Sequence, residues 1–299
     1  MKPLPPGEKH RSLGQDVWRQ FKRHKGAIVG LVLLGLIVLA SVVGPFISQD
    51  AYAIDTLSAN QPPSAEHFLG TDNLGRDVLA RVLVGGRISL AVGFAAMLFG
   101  LILGTGIGII AGFFKRLDGP LMRLTDLFLA LPILPLLLVV IMLFRESLKN
   151  AFGANAGIFI LVVFIIGATS WMQTARVVRG DVLSIKEEEF VLAAQSIGTR
   201  KRNVIMRHIL PNTLSPVMVS AALGVAAAII TESALSFLGL GFPADFPTWG
   251  RLVFDGRNYL QLNAAWVLAP GVLIMLAVMS VNFIGDGLRD ALDPKLRSR

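Results

Sequence analysis

The sequence predicts an all-α membrane protein with six transmembrane helices. Of its 299 residues, 54% are hydrophobic and only 16% are charged, a balance that ordinary soluble domains do not have. Six stretches without charged residues reach the roughly 18 residues that a spanning helix needs. These stretches are residues 26–48, 88–114, 127–144, 150–175, 209–231 and 258–284.

The six stretches divide the chain into segments with separate expected positions. Residues 1–25 form a basic cytoplasmic arm, residues 26–48 the first helix and residues 49–87 an external segment. Prolines and glycines predict loop structure in that segment, and Val78–Val84 predicts a short amphipathic helix on the membrane face. Helices two to six follow in residues 88–286, interrupted by a polar loop at 176–211, and residues 287–299 form a cytoplasmic tail.

The distribution of lysine and arginine predicts the orientation in the membrane. Cytoplasmic flanks carry the excess of basic residues, and with the N-terminus inside, 21 of the 28 basic residues lie on the cytoplasmic side. Both termini and the polar loop are therefore expected in the cytoplasm. The sequence Ala51-Tyr52-Ala53 resembles a signal-peptidase site, but the 23-residue apolar stretch before it is longer than a signal peptide core. We expect this first helix to be retained.

Composition and motifs exclude several classes of site. The net charge of +8 is spread along membrane flanks without interleaved aromatic residues, which argues against nucleic-acid binding. The chain has no cysteine and its four histidines are not at ligand spacing, so no metal site is expected. It also lacks a P-loop and any nucleophile–base or H-E-x-x-H pattern. We therefore expect no catalytic residue and no cofactor in this chain.

Glycine and proline positions predict how two of the helices pack and bend. Glycines recur every four residues in the second helix, at Gly100, Gly104, Gly108 and Gly112, and predict close approach of another helix. In the third helix, Pro132 and Pro135 each remove a backbone hydrogen bond and predict a bend. A bent helix is compatible with a pore wall and with plain structural bending.

Two carboxylates at membrane depth are candidates for a translocation path or gate, because ionisable groups there usually face protein or water. Asp126 lies near the start of the third helix, where it can also stabilise the helix dipole. Glu232 lies in an otherwise uncharged part of the fifth helix. A position at a gate and a hydrogen bond between helices are both compatible with the Glu232 side chain.

The first half of the polar loop predicts a short helix with a defined end. Lys186–Ile197 is rich in helix formers and carries Glu189 and two neighbouring glutamates in its expected first turn. Ala193 and Ala194 are expected to provide a surface with little side chain, and Gly198 predicts a left-handed stop.

The second half predicts another short helix over Lys201–Ile209. This helix opens with Arg200-Lys201-Arg202, which is unfavourable for its dipole and indicates contact with a partner or with lipid headgroups. Leu210 closes the segment, and Pro211 is expected to interrupt the backbone before the fifth membrane helix. An ordinary amphipathic loop would fit these features as well.

Four stretches together resemble one known family. Leu192-Ala193-Ala194-x3-Gly198, followed after nine residues by His208-Ile209-Leu210-Pro211, resembles the Glu-Ala-Ala-x3-Gly-x9-Ile-x-Leu-Pro signature by which ABC importer permeases contact their ATPases. Leu192 replaces the usual Glu, and His208 the usual Ile. The other three stretches resemble C-type permeases of dipeptide, oligopeptide and nickel importers, and they are residues 67–77, 235–241 and 285–294.

This resemblance implies a type I ABC importer permease fold and a transport function for short peptides or a related small solute. It implies four kinds of contact: a homologous second permease, two cytoplasmic ATPase subunits that bind ATP and Mg²⁺, an extracytoplasmic substrate-binding protein, and membrane lipid. The expected location is a bacterial inner membrane. A secondary transporter, or another polytopic protein without an ATPase, is the alternative, and copurification with an ATPase separates the two.

Overall fold

The computed structural model describes residues 13–292, and within this range every regular element is helical. The α-helices are α1 (Leu13–Arg23), α2 (Lys25–Ile47), α3 (Val78–Phe113), α4 (Lys115–Ala130), α5 (Ile133–Phe152), α6 (Ala154–Ala168), α7 (Trp171–Ile185), α8 (Glu189–Ser196), α9 (Lys201–Val204), α10 (Leu210–Phe237), α11 (Trp249–Gly256) and α12 (Ala265–Leu292). The predicted all-α class is confirmed. Residues 1–12 of the cytoplasmic arm, and the tail beyond residue 292, lie outside the described residues.

Within residues 13–292, five helical stretches are long and apolar enough to cross a membrane, and a sixth consists of two helices joined at a sharp bend. The five are residues 25–47, 78–113, 154–185, 201–237 and 265–292. Helices α4 and α5 pass the same test together but meet at 88°. The six predicted spans are therefore present when this bent pair is counted as one.

Helix α3 begins ten residues before the apolar stretch that predicted it. Val78 and Val82 are buried and pack against Leu252 of α11 and Trp266 of α12. The separate surface helix expected at Val78–Val84 is therefore wrong, because the apolar side of this segment faces protein and not lipid.

The predicted glycine ridge is the contact between α3 and α7. A Cβ atom built on Gly104 would lie 2.6 Å from the Trp171 carbonyl oxygen, and one on Gly108 would lie 2.7 Å from that of Ala175. Side chains at these positions would separate the two helices, since real Cβ contacts are longer than 3.0 Å. The prediction of close helix packing is confirmed.

Two breaks interrupt the membrane helices. Pro132 precedes the first residue of α5 at the bend with α4, as expected for a proline that cannot continue a helix. Pro135 is in the first turn of α5, where its missing N–H has no partner to lose, so its predicted bend is absent. The second break, between α6 and α7 at Thr169 and Ser170, was not predicted.

Candidate functional site

The predicted polar loop is shorter than its charge pattern indicates, because α7 continues to Ile185. Residues 176–185 are therefore the last turns of a helix that starts inside the apolar region. Helix α8 begins at Glu189 and not at Lys186, so the two preceding glutamates lie before its first turn. Glu189 keeps the predicted position, where its charge favours the helix dipole.

One face of helix α8 packs against the rest of the protein, and the other face is exposed. Val191 is fully buried and Ala194 is 7% exposed, and Val191 packs in a cluster with Val182 of α7 and Val204 of α9. Ala193 faces outward. The two alanines therefore do not share a surface, because Ala194 is buried and Ala193 is exposed. Only Ala193 belongs to the exposed side.

Four exposed residues of α8 and its C-terminal cap are apolar and lie among exposed polar ones. Phe190 is 44% exposed, Leu192 50% and Ile197 83%, and Ala193 lies between them. Leu192, which replaces the usual glutamate, thus adds hydrophobic surface here. We call these four residues the apolar face of α8. Exposed patches of this kind mark contacts with other proteins.

Gly198 ends α8 in the predicted left-handed conformation, with φ of +79°. The N–H of Thr199 donates to the Ala194 carbonyl at 3.1 Å, and the N–H of Gly198 donates to the Gln195 carbonyl at 3.0 Å. A Cβ at Gly198 would meet no atom within 4 Å. The position therefore requires glycine for its backbone angle and not for space.

Arg200, Lys201 and Arg202 follow this turn and are all exposed. Lys201 Nζ lies 5.9 Å from the centre of the Phe114 ring, which follows α3. The three cations therefore border the apolar face of α8 and remain available to an acidic or anionic surface.

The backbone between α9 and α10 is continuous, so the break predicted at Pro211 and the separate helix over Lys201–Ile209 are both wrong. Residues 205–209 form a π-helical turn in which the N–H of Leu210 donates to the Ile205 carbonyl. A proline in a regular helix clashes with the carbonyl four residues earlier, and the wider turn moves that carbonyl away. Pro211 is thereby accommodated in the first turn of α10, while Leu210 packs against the cluster that holds α8.

Glu232 is buried within the helix bundle. Its side chain has 0% exposure, with Oε2 accepting from Ser89 Oγ of α3 at 3.1 Å and Oε1 accepting from Ser236 Oγ at 2.8 Å. Ser89 Oγ accepts from the Trp249 N–H at 3.1 Å, at the start of α11. Glu232 therefore holds α11 against α3 and α10, which is the interhelical alternative left open by the sequence.

Asp126 lies on the surface of α4 and pairs with Arg176 of α7. Both side chains are more than half exposed, so this ion pair contributes little to stability. A second pair, Asp118 with Arg179, joins the same two helices and is less exposed. Neither Asp126 nor Glu232 is among the residues that line the cavity described below.

The stretch at residues 67–77 forms a buried ionic cluster at the start of α3. Asp72 is fully buried and accepts from Arg76 Nε at 2.7 Å. Arg81 is 1% exposed and lies between two carboxylates, with Nε 3.7 Å from Asp72 Oδ2 and Nη2 4.0 Å from Asp255 Oδ2 of α11. The sequence indicated a function for this stretch only through its resemblance to C-type permeases. The buried ionic cluster accounts for the many charged residues in it.

A tight turn holds this cluster in place. Gly75 has φ of +76°, and a Cβ there would lie 1.7 Å from the Asp55 carbonyl oxygen. Asp77 accepts from the N–H of Ala80 at 2.7 Å and thereby caps α3, while its second oxygen lies 2.9 Å from His67 Nδ1. The segment before α3 is thus an ordered cap.

A cavity of about 470 Å³ lies where the α4–α5 bend and the α6–α7 break face α10. No residue lining it within the described part of the chain is charged. Irregular backbone is tolerated at membrane depth where it lines a cavity. The polar lining comes from Thr169, Ser170, Gln173, Thr174, Ser220 and Thr231. The sequence Gly167-Ala168-Thr169-Ser170 is the signal that could have predicted the α6–α7 break. The Thr169 and Ser170 hydroxyls donate to nearby backbone carbonyls, and such bonds compete with those of a regular helix.

Comparison with known proteins identifies the family. The family model described as "Binding-protein-dependent transport system inner membrane component" matches residues 104–298, which is more than half of the chain. The chain belongs to this family. It is therefore a permease subunit of an ABC importer and a multi-pass membrane protein, and the prediction of a transport subunit and not an enzyme is confirmed.

A second match places this binding-protein-dependent permease in a narrower group. Residues 12–63 match the N-terminal transmembrane domain of oligopeptide transport permease C. The chain is 42% identical to the dipeptide transport system permease protein DppC of Alkalihalophilus pseudofirmus, over 98% of this chain and 94% of that protein. It is 39% identical to the oligopeptide transport system permease protein OppC of Bacillus subtilis, over 97% of this chain and 92% of that protein.

Solved structures support the fold of this permease. The chain matches an inward-facing structure of the MetNI methionine ABC transporter, with a TM-score of 0.55 and 16% identity. The match extends over 71% of this chain and 96% of the matched chain. The likeness at this identity concerns the fold alone. The expected ABC importer permease fold is confirmed.

Proposed function

We propose that this permease forms half of the membrane path of an ATP-driven importer of short peptides, beside a homologous second permease. Two cytoplasmic ATPases would bind ATP and Mg²⁺, and an extracytoplasmic substrate-binding protein would deliver the solute. The names of the dipeptide and oligopeptide relatives support this substrate class. In this proposal both termini and α8 lie in the cytoplasm, in agreement with the distribution of basic residues.

The observation that carries the proposal is the path of contacts from α8 to the cavity. Val191 of α8 packs with Val182 of α7 and with Ile209, just before α10. Helices α7 and α10 then run to the cavity and supply part of its wall, including Gln173 and Thr231. A displacement of α8 by the ATPases would therefore move two walls of the cavity without an intervening flexible loop.

A charge placed on the apolar face of α8 tests the ATPase contact. We expect Ile197→Asp to reduce copurification of the ATPase subunits at least tenfold, because a carboxylate buried at a protein interface loses its hydration. Leu57→Asp is the matched control, since Leu57 is 95% exposed in the segment before α3. Equal ATPase recovery with both variants would contradict the proposed docking face.

The uncharged cavity lining predicts passage of peptides regardless of side-chain charge. Gln173→Glu adds a carboxylate of nearly the same shape to the wall, and we expect it to reduce uptake of acidic peptides about tenfold relative to neutral ones, through repulsion in a low-dielectric site. Competitive uptake of acidic, neutral and basic tripeptides measures this ratio. Gln261→Glu, at an exposed position outside the cavity, should leave the ratio unchanged. An unchanged ratio with Gln173→Glu would remove this cavity from the path.

A further inference from the structure

The outward face of α1 combines one aromatic residue with three cations. Trp18, Arg19, Lys22 and Arg23 are all exposed and lie on one side of the helix. Lys22 Nζ is 5.0 Å from the centre of the Trp18 ring, a cation–π distance that holds the two side chains together. Phe21 is 4% exposed, and its ring stacks on that of Trp18 with the centroids 5.8 Å apart.

Helix α1 is fixed next to the first membrane span. His24 alone separates α1 from α2 and has an extended conformation (φ −81°, ψ 96°), so the helix is interrupted there. Phe21 packs with Ala27 of α2 and Ala291 of α12. A Cβ on Gly287 would lie 2.3 Å from the Ala27 Cβ, which shows how closely this corner is packed.

This position determines what the outward face meets. Because α2 is a 23-residue apolar helix that starts one residue after α1, residues 18–23 lie at the level where a span leaves the hydrocarbon core. Tryptophan is enriched at this level, and lysine and arginine there interact with anionic headgroups. The sequence before Gly26 adds to the charge, with seven basic residues against two acidic ones.

We propose that the outward face of α1 is a binding site for the headgroups of anionic phospholipids. The cations hold the phosphate groups and Trp18 lies in the interfacial layer, so that α1 anchors the corner formed by α2 and the end of α12 to the membrane surface. The site does not depend on which solute the permease carries.

Trp18 is a built-in probe for this site. The chain has four tryptophans, and Trp171, Trp249 and Trp266 are at most 6% exposed whereas Trp18 is 49% exposed. The experiment uses the assembled transporter in vesicles that contain either brominated phosphatidylglycerol or brominated phosphatidylcholine at equal mole fraction. The fluorescence of the Trp18→Phe variant is subtracted from that of the wild type. This subtraction removes the signal of all other tryptophans and leaves the quenching of Trp18.

The expected result is quenching by brominated phosphatidylglycerol that exceeds quenching by brominated phosphatidylcholine. The preference should disappear in the variant with Arg19→Gln, Lys22→Gln and Arg23→Gln, since each cation near an anionic surface contributes about fivefold to binding. The variant with Arg19→Lys and Arg23→Lys keeps the charge and should keep the preference.

Three results would overturn the proposal. Equal quenching by the two lipids in the wild type would show an interfacial helix without headgroup selectivity, and no quenching would show that protein covers this face. A preference that survives the three glutamine substitutions would assign it to other residues. If those substitutions abolish quenching by both lipids, Lys22→Gln alone decides, with an expected fall of about fivefold and no change as the contrary outcome.

Discussion

Replacement of Gly198 by valine should abolish substrate-stimulated ATP hydrolysis and uptake while leaving membrane insertion intact. The backbone at Gly198 is left-handed, a conformation that costs a β-branched residue about 1–3 kcal/mol. The turn would relax by changing the angle between α8 and the Arg200–Arg202 segment, and the apolar face of α8 would then be misaligned with the ATPase. Reconstituted complexes measure ATPase copurification, stimulated hydrolysis and uptake.

A second substitution at Gly198 distinguishes backbone strain from side-chain size as the cause of the expected defect. No atom lies within 4 Å of a Cβ built on Gly198, so steric conflict does not explain a defect. Asparagine enters the left-handed region more readily than other residues, and Gly198→Asn should therefore retain most of the activity that Gly198→Val loses. If valine and asparagine behave alike, or if valine matches the wild type in all three assays, this turn does not set the coupling geometry.

Glu232→Ala should reduce uptake by at least tenfold and leave recovery of the ATPases unchanged. The substitution removes the carboxylate that accepts from the Ser89 and Ser236 hydroxyls. Each of these buried hydroxyls then lacks that acceptor, which destabilises the folded protein by about 1–3 kcal/mol. Ser89 also accepts from the Trp249 N–H, so one of the contacts that hold α11 against α3 is weakened. Uptake and ATPase copurification are measured on the same preparations.

Glu232→Gln separates the hydrogen bonds from the charge. The amide keeps the shape and one acceptor, and we expect it to retain most of the uptake. Wild-type uptake in a folded Glu232→Ala complex would show that the network has no part in transport. Equal losses with alanine and glutamine would instead assign a role to the carboxyl group itself.

The features predicted best from sequence are those fixed locally or by the bilayer. Span length and hydropathy follow from membrane thickness, and five spans plus one bent pair were found where they were expected. The stop at Gly198 was predictable because a helix end followed by glycine is a local signal. The glycine spacing likewise indicated a packed face before its partner helix was known.

The features that sequence reasoning missed depend on tertiary contacts. Pro211 looked like a helix break, but burial of Val204 and Ile209 on either side of the π-helical turn holds α9 in line with α10. Ala194 looked like part of the docking surface, but it is only 7% exposed. Val78 and Val82 looked like a membrane-facing stripe because the sequence does not reveal that α11 and α12 cover them.

The glycine ridge between α3 and α7 also restricts which parts of the bundle can rearrange. Thr174 and Val182 lie against Gly104 and Gly112 with almost no free space, so sliding of one helix along the other would force these side chains into backbone. The two helices are expected to move as a single rigid body. When α8 displaces α7, we therefore expect α3 to move with it, and the cavity to open and close as this pair and α10 shift relative to the α4–α5 elbow.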